Sequence, residues 1–218
     1  MDYNPWHKIA PEDYDKHMSH PNVLQTQQLN FIMKEQFEIL ENGRRPCATA
    51  AILGITNGNG LEHVIPCNIG KVIGIDINQG FLNACSARHS NLGEKLKLHC
   101  LDIVSECALA TNLLASADLI IANLLIEHIG MDNFRKLIGS LPKHKQMISC
   151  VIQYNPDGTI ASCSGVEHIF DDVVLNLEEE DENKLVNTLK DIDCLLQNKH
   201  IYDLTNGKQF IRLDFVLS

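Results

Sequence analysis

The chain has 218 residues and 44% hydrophobic content, enough for one ordinary domain with a real core and leaving no case for disorder. Its formal net charge of −10 repels phosphate backbones and anionic lipid, and its basic patches are short, such as Arg44-Arg45 and Lys143-His144-Lys145, so neither nucleic acid nor membrane is the expected partner. No stretch approaches the roughly 18 apolar residues that span a bilayer, and the N-terminus lacks the basic and apolar regions of a signal peptide, so a cytoplasmic location is expected.

In chain order, Asn22 is placed to cap a helix carrying Leu29, Ile32, Met33, Phe37 and Leu40 on one face, with Gly43 as its stop. The apolar run 49–53 predicts a first strand, which ends in the turn Gly54-Ile55-Thr56-Asn57-Gly58-Asn59-Gly60, and a helix is expected from Leu61. A second strand, 71–76, ends in Asp76, and Asn78 can cap a helix over 79–89. Strands follow at 95–101 (then Asp102) and 118–122 (then Asn123), a helix at 132–141 and a strand at 146–153. The acidic run 178–182 reads as a solvated loop and the first turn of a helix bearing Leu185, Leu189, Ile192 and Leu196. Short apolar strands alternating with helices require a parallel sheet covered on both faces. Two alternating runs then flank Asn206-Gly207, the strongest short hairpin signal, and predict a type I′ turn.

Eight cysteines are scattered through the chain without C-x-x-C spacing. Zinc-ribbon and redox readings therefore fail, and buried thiols in a reducing compartment are expected.

The stretch Ala48 to His63 carries the most chemistry. Strand, glycine-rich turn and helix start form the arrangement that presents backbone N–H groups to a nucleotide-like cofactor. Asp76 lies 16 residues beyond Gly60, near the roughly 20-residue offset of an acid that holds ribose hydroxyls. A side chain at Gly58 is accordingly expected to block binding while sparing the fold.

Together, the glycine turn, Asp76, Cys100-Leu101-Asp102-Ile103, the segment Asn123-Leu124-Leu125-Ile126-Glu127-His128-Ile129 and the terminal hairpin resemble the Rossmann-like (class I) S-adenosylmethionine-dependent methyltransferases of small-molecule type. The resemblance implies a single domain over 1–218, an N-terminal helical lid or cap at 1–43, and a core at 44–218. That core would be a three-layer α/β sheet of seven strands, mostly parallel with an antiparallel C-terminal hairpin strand. It implies S-adenosylmethionine contacts at Gly54, Thr56, Asn57, Gly58, Gly60, Asp76, Ile77, Asp102, Ile103 and Asn123. Asp76 would bind the ribose, Asp102 would approach the adenine amino group, and Asn123 would stand beside the sulfonium. The family usually has an acid where Gly54 stands and a glycine where Thr56 stands. Either Asn57 takes over the acid's role or the methionine end is held more weakly.

Glu127, His128 and His17 are the candidate catalytic residues, since a hydroxyl or ammonium nucleophile needs a base. His17 and His20 alone are too few to seat a metal, and none is expected. No Asn/Asp-Pro-Pro-aromatic motif, the mark of many base-methylating enzymes, follows the fourth strand, which with the acidic net charge points to a small-molecule acceptor; a monomer or homodimer is expected. Two rival readings remain, a non-catalytic module on a degenerate fold and, less favoured, an NAD-dependent oxidoreductase. The latter wants Gly or Ala where His63 stands.

Overall fold

The computed structural model describes residues 4–42, 48–143, 145–156, 164–175, 177 and 181–218. Seven strands form one sheet: β1 (Thr49–Leu53), β2 (Lys71–Asp76), β3 (Leu96–Cys100), β4 (Leu119–Asn123), β5 (Gln146–Tyr154), β6 (Cys194–Asp203) and β7 (Gln209–Leu217), in the order β3-β2-β1-β4-β5-β7-β6. The first five pair in parallel, whereas β7 runs antiparallel to both β5 and β6. This is the expected α/β sheet with an antiparallel end.

Side-chain alternation builds the two covering layers. On β1, Ala51 and Leu53 face one core while Ala50 and Ile52 face the other; on β2, Ile73 and Ile75 oppose Val72. The first core is closed by α4 (Cys107–Leu114), α6 (Met131–Gly139) and α8 (Glu182–Lys190), through Leu114, Phe134, Leu137, Leu185 and Leu189. The second is closed by α2 (Gln25–Asn42) and α3 (Gln79–Arg88), through Met33, Phe37, Leu82 and Cys85. Asn78 caps α3 as expected, accepting at Oδ1 from Gly80 N (2.8 Å).

Four local expectations are corrected. Asn22 does not cap α2, because a turn with Leu24 at φ 51° intervenes and the helix starts at Gln25; its stop, Gly43, lies outside the described residues, as do Arg44, Arg45, Cys47, His144, Cys163 and residues 178–180 of the acidic run. No α-helix follows Gly60. One 3-10 turn, Leu61–His63, stands there, because the segment up to β2 is short, Pro66 removes a donor, and α2 already covers this face. Leu196 belongs to β6 rather than α8 and is 37% exposed. The hairpin is present, but only Gly207 has positive φ (82°), and Gly207 N donates to Leu204 O (3.0 Å) while Leu204 N donates to Lys208 O (2.8 Å). The loop is thus a turn followed by a left-handed glycine rather than type I′.

Candidate active site

The carboxyl ends of β1 to β4 open into a cavity of about 1060 Å³. An open parallel sheet binds ligands at this edge, where strand order reverses between β1 and β4. Gly54 and Thr56 line it from β1, Asp76 and Ile77 from β2, Asp102 and Ile103 from β3, and Asn123, Glu127 and His128 from β4. His17 joins them from α1 (Pro11–Met18). These ten sequence-named residues are brought together. Asn57, Gly58 and Gly60 do not line the cavity. Gly58 is turned against α3, where an added Cβ would lie 2.6 Å from Cys85 Sγ, and Gly60 is turned against α2, where it would lie 2.6 Å from Met33. Asn57 is buried, and its Nδ2 donates to Pro11 O (3.0 Å). Among the described residues no group of three His, Cys, Asp or Glu is placed to hold a metal.

Asp76 is 7% exposed, and its two oxygens accept from the backbone N–H groups of Thr56 (2.9 Å) and Asn78 (2.9 Å). Burial raises its pKa, and those amides, with that of Ile77, oppose the rise. Thr56, where the resemblance would place a glycine, takes φ 48° and keeps it with its amide tied to Asp76. Asp102 folds back on its own turn: Oδ1 accepts from Val104 N (2.9 Å) and Oδ2 from Ser105 Oγ (2.8 Å).

Asn123 leads into a buried polar chain that the sequence did not announce. Gln36 on α2 donates from Nε2 to Asn123 Oδ1 (2.9 Å) and accepts at Oε1 from Asn123 Nδ2 (2.9 Å). The same Nε2 donates to Ser149 Oγ (2.8 Å), Ser149 donates to Asp214 Oδ1 (2.6 Å), and Arg212 donates to Asp214 Oδ2 (3.2 Å) and Glu35 Oε2 (2.7 Å). The single usable sequence signal was Arg212 and Asp214 two residues apart within an apolar strand.

The N-terminal segment forms one wall. Asn78 Nδ2 donates to Trp6 O (2.8 Å) and Ile9 O (2.9 Å), and Arg88 pairs with Asp15. These ties seat Trp6, His7, Tyr14, His17 and Met18 on the cavity. Burial pushes the Tyr14 hydroxyl up, keeping it protonated. Trp6 meets His128 edge-on, with centroids 4.8 Å apart.

Burial lowers His128 from 6.5 to about 4, so the folded state favours the neutral ring. The stability tied to that preference is present above the unfolded value of 6.5 and is lost as pH falls toward about 4. Chemical denaturation across this window is expected to show a loss of up to ~3 kcal/mol that His128→Gln flattens. An equal slope in both proteins would assign the acid sensitivity to other groups.

His20 and His168 do not line the cavity. Among the described cysteines, Cys67, Cys85, Cys150 and Cys194 are buried as expected, whereas Cys100 is exposed.

No family model matches the sequence, and no curated protein is similar to it in sequence. Solved structures do match in shape. The magnesium protoporphyrin IX methyltransferase from Synechocystis PCC 6803, solved with bound SAM, superposes with a TM-score of 0.66 at 12% identity, over 98% of this chain and 93% of its own. The 1,6-didemethyltoxoflavin-N1-methyltransferase from Burkholderia thailandensis, solved with its substrate and S-adenosylhomocysteine, gives 0.63 at 13% identity, over 100% and 92%. The geranyl diphosphate C-methyltransferase from Streptomyces coelicolor gives 0.60 at 11% identity, over 84% and 79%. The likeness is one of fold: this chain has the seven-stranded Rossmann-like architecture of these methyltransferases.

Proposed function

We propose that the protein is an S-adenosylmethionine-dependent methyltransferase acting on a small-molecule acceptor. The observation that carries this reading is the charge pattern of the cavity. Asp76, Asp102, Glu106 and Glu127 line it, and among the described residues no Lys or Arg does. That donor set fits a ligand with a sulfonium and an ammonium. Bound there, S-adenosylmethionine supplies a methyl group already activated for transfer, so the protein's task is binding, orientation and desolvation. Asp76 would accept from the ribose hydroxyls with the lone pairs its backbone partners leave open. Asp102 would face the adenine amino group, and Ile77 and Ile103 would flank the base. Gly54, Thr56 and Asn123 would border the methionine end. Residues 1–43 would act as the cap over a core of 44–218. The three methyltransferase neighbours support the reading, and two of them were solved with a small-molecule substrate bound, 1,6-didemethyltoxoflavin and geranyl diphosphate.

Isothermal calorimetry with S-adenosylhomocysteine tests it. Saturable binding is expected, and Asp76→Asn should weaken it by about 1–3 kcal/mol, roughly ten- to a hundredfold. Unchanged affinity would remove Asp76 from the site, and binding of NADH with none of S-adenosylhomocysteine would overturn the proposal.

Methyl transfer from labelled donor into pooled metabolites tests turnover directly: transfer is expected, and cofactor binding without any transfer would leave a non-catalytic module. The unpaired thiols of Cys85, Cys100, Cys107, Cys150 and Cys194 accord with a reducing, cytoplasmic setting, and no described helix is long and apolar enough to cross a membrane. A monomer or homodimer is proposed.

A further inference from the structure

We infer that the acceptor is an uncharged, flat, largely apolar molecule carrying an O–H or N–H, and that its proton passes to Nε2 of His17, which Ser164 and Glu167 hold in the required tautomer. This deepens the methyltransferase reading and rests on it for the identity of the donor.

The tautomer follows from counting the bonds at one hydroxyl. Ser164 Oγ lies 2.7 Å from His17 Nδ1, accepts from Val166 N (3.2 Å) and sits 3.3 Å from Glu167 Oε2. An ionised carboxylate can only accept, so the single hydroxyl proton goes to Glu167. Glu167 Oε2 is held in place by Ser164 N (2.9 Å). Val166 N–H fills one Oγ lone pair. The other must then accept from Nδ1–H of His17, which leaves Nε2 with its lone pair. His17 is only 4% exposed yet lines the cavity, so a base is presented to the ligand rather than to bulk water.

The groups that face this ring act in both directions. Burial is the largest influence and lowers its pKa, Glu167 raises it, and Lys208 and His20 lower it further. The balance keeps the imidazole neutral near pH 7, the state a base needs.

The surrounding wall sets the acceptor class. The Phe170 ring lies 4.7 Å from His17, and Trp6 and Tyr14 lie 6.1 and 6.3 Å from Phe170. These rings offer flat apolar surface. The polar groups at the end of β5 and the start of α2 are neutral amides, with Gln25 donating to Gln153 and Gln153 donating to Asn155 (2.6 Å). Lys208, which acts on His17, is not part of the cavity lining, and among the described residues no other Lys or Arg is, whereas Asp76, Asp102, Glu106 and Glu127 are. A phosphate or carboxylate here would meet those carboxylates with no lining cation to offset its desolvation. The proton balance closes with the groups named: the acceptor heteroatom bonds the methyl carbon, the carbon–sulfur electron pair stays on sulfur, and the released proton makes His17 an imidazolium that solvent later discharges.

Long-range proton–nitrogen NMR correlation on isotope-labelled full-length protein reads the tautomer without turnover. His17 is expected as Nδ1–H with bare Nε2 at neutral pH, and Ser164→Ala should shift it toward Nε2–H. An Nε2–H tautomer in the unaltered protein, or no change in Ser164→Ala, overturns the base assignment. Calorimetry in saturating S-adenosylhomocysteine then compares naphthol with naphthyl phosphate. Naphthol should bind at least about tenfold more tightly. No naphthol binding, or phosphate binding as tight, overturns the acceptor class. Failure of S-adenosylhomocysteine itself to bind would instead strike the methyltransferase reading, so the two failures are distinct.

Discussion

Asp214→Ala is expected to lower the unfolding free energy by about 3–5 kcal/mol, the range for stranding one member of a buried ion pair. Asp214 is fully buried and Arg212 is 5% exposed. Removing the carboxylate leaves Arg212 dependent on Glu35 and the Tyr202 hydroxyl (3.1 Å) and leaves the Ser149 hydroxyl without its acceptor. Asp214→Asn keeps the shape and one acceptor oxygen, so its cost should be smaller, about 1–2 kcal/mol. Urea denaturation with an unchanged m-value measures both. A loss below about 1 kcal/mol for Asp214→Ala would mean that water reaches the pair. The consequence extends to the cavity, because the chain from Asp214 through Ser149 and Gln36 ends on the Asn123 carboxamide. S-adenosylhomocysteine affinity should therefore fall in Asp214→Ala even at temperatures where the variant is folded.

That same pair shows what a single sequence conceals. The run Phe210-Ile211-Arg212-Leu213-Asp214-Phe215 alternates as a half-exposed strand does, and alternation by itself places Arg212 and Asp214 in solvent. β7 instead lies between β5 and β6 with α2 near its polar face, so both faces are buried and the charges must satisfy one another. No local pattern encodes a cover supplied by residues some 180 positions earlier, as the bond from Arg212 to Glu35 requires. Strands β1 and β2 were legible because each is an apolar run of only five or six residues closed by a turn, too short for a buried helix. That Asp76, Asp102 and Asn123 would share one cavity was legible because strand ends in a parallel sheet converge on one edge. His17 was named, but Ser164 and Glu167 were not, since 147 residues separate His17 from the hydroxyl that orients it. The glycine turn was legible as a turn only; which side of it faces the ligand depends on α2 and α3.

Gly58→Ala tests that last point and is expected to destabilise the protein by about 2–5 kcal/mol. Two physical costs add. Gly58 has φ 78°, where a Cβ costs about 1–2 kcal/mol. The new methyl would also stand 2.6 Å from Cys85 Sγ and 2.8 Å from the His89 ring, and forcing extra volume into a packed core costs about 1–3 kcal/mol. Both neighbours are buried, so neither can swing into solvent. Gly207→Ala separates the two costs. It has φ 82° with nothing within 4 Å of the added carbon, so it bears the backbone cost alone. The excess of Gly58→Ala over Gly207→Ala in denaturant unfolding is then the packing contribution. Equal losses would show that Cys85 and His89 make room. The sequence-based expectation was the reverse, an intact fold that cannot bind. Because Gly58 points at α3 and not into the cavity, the folded fraction of Gly58→Ala should hold S-adenosylhomocysteine with nearly native affinity. Lost affinity in a variant of undiminished stability would return this glycine to the ligand.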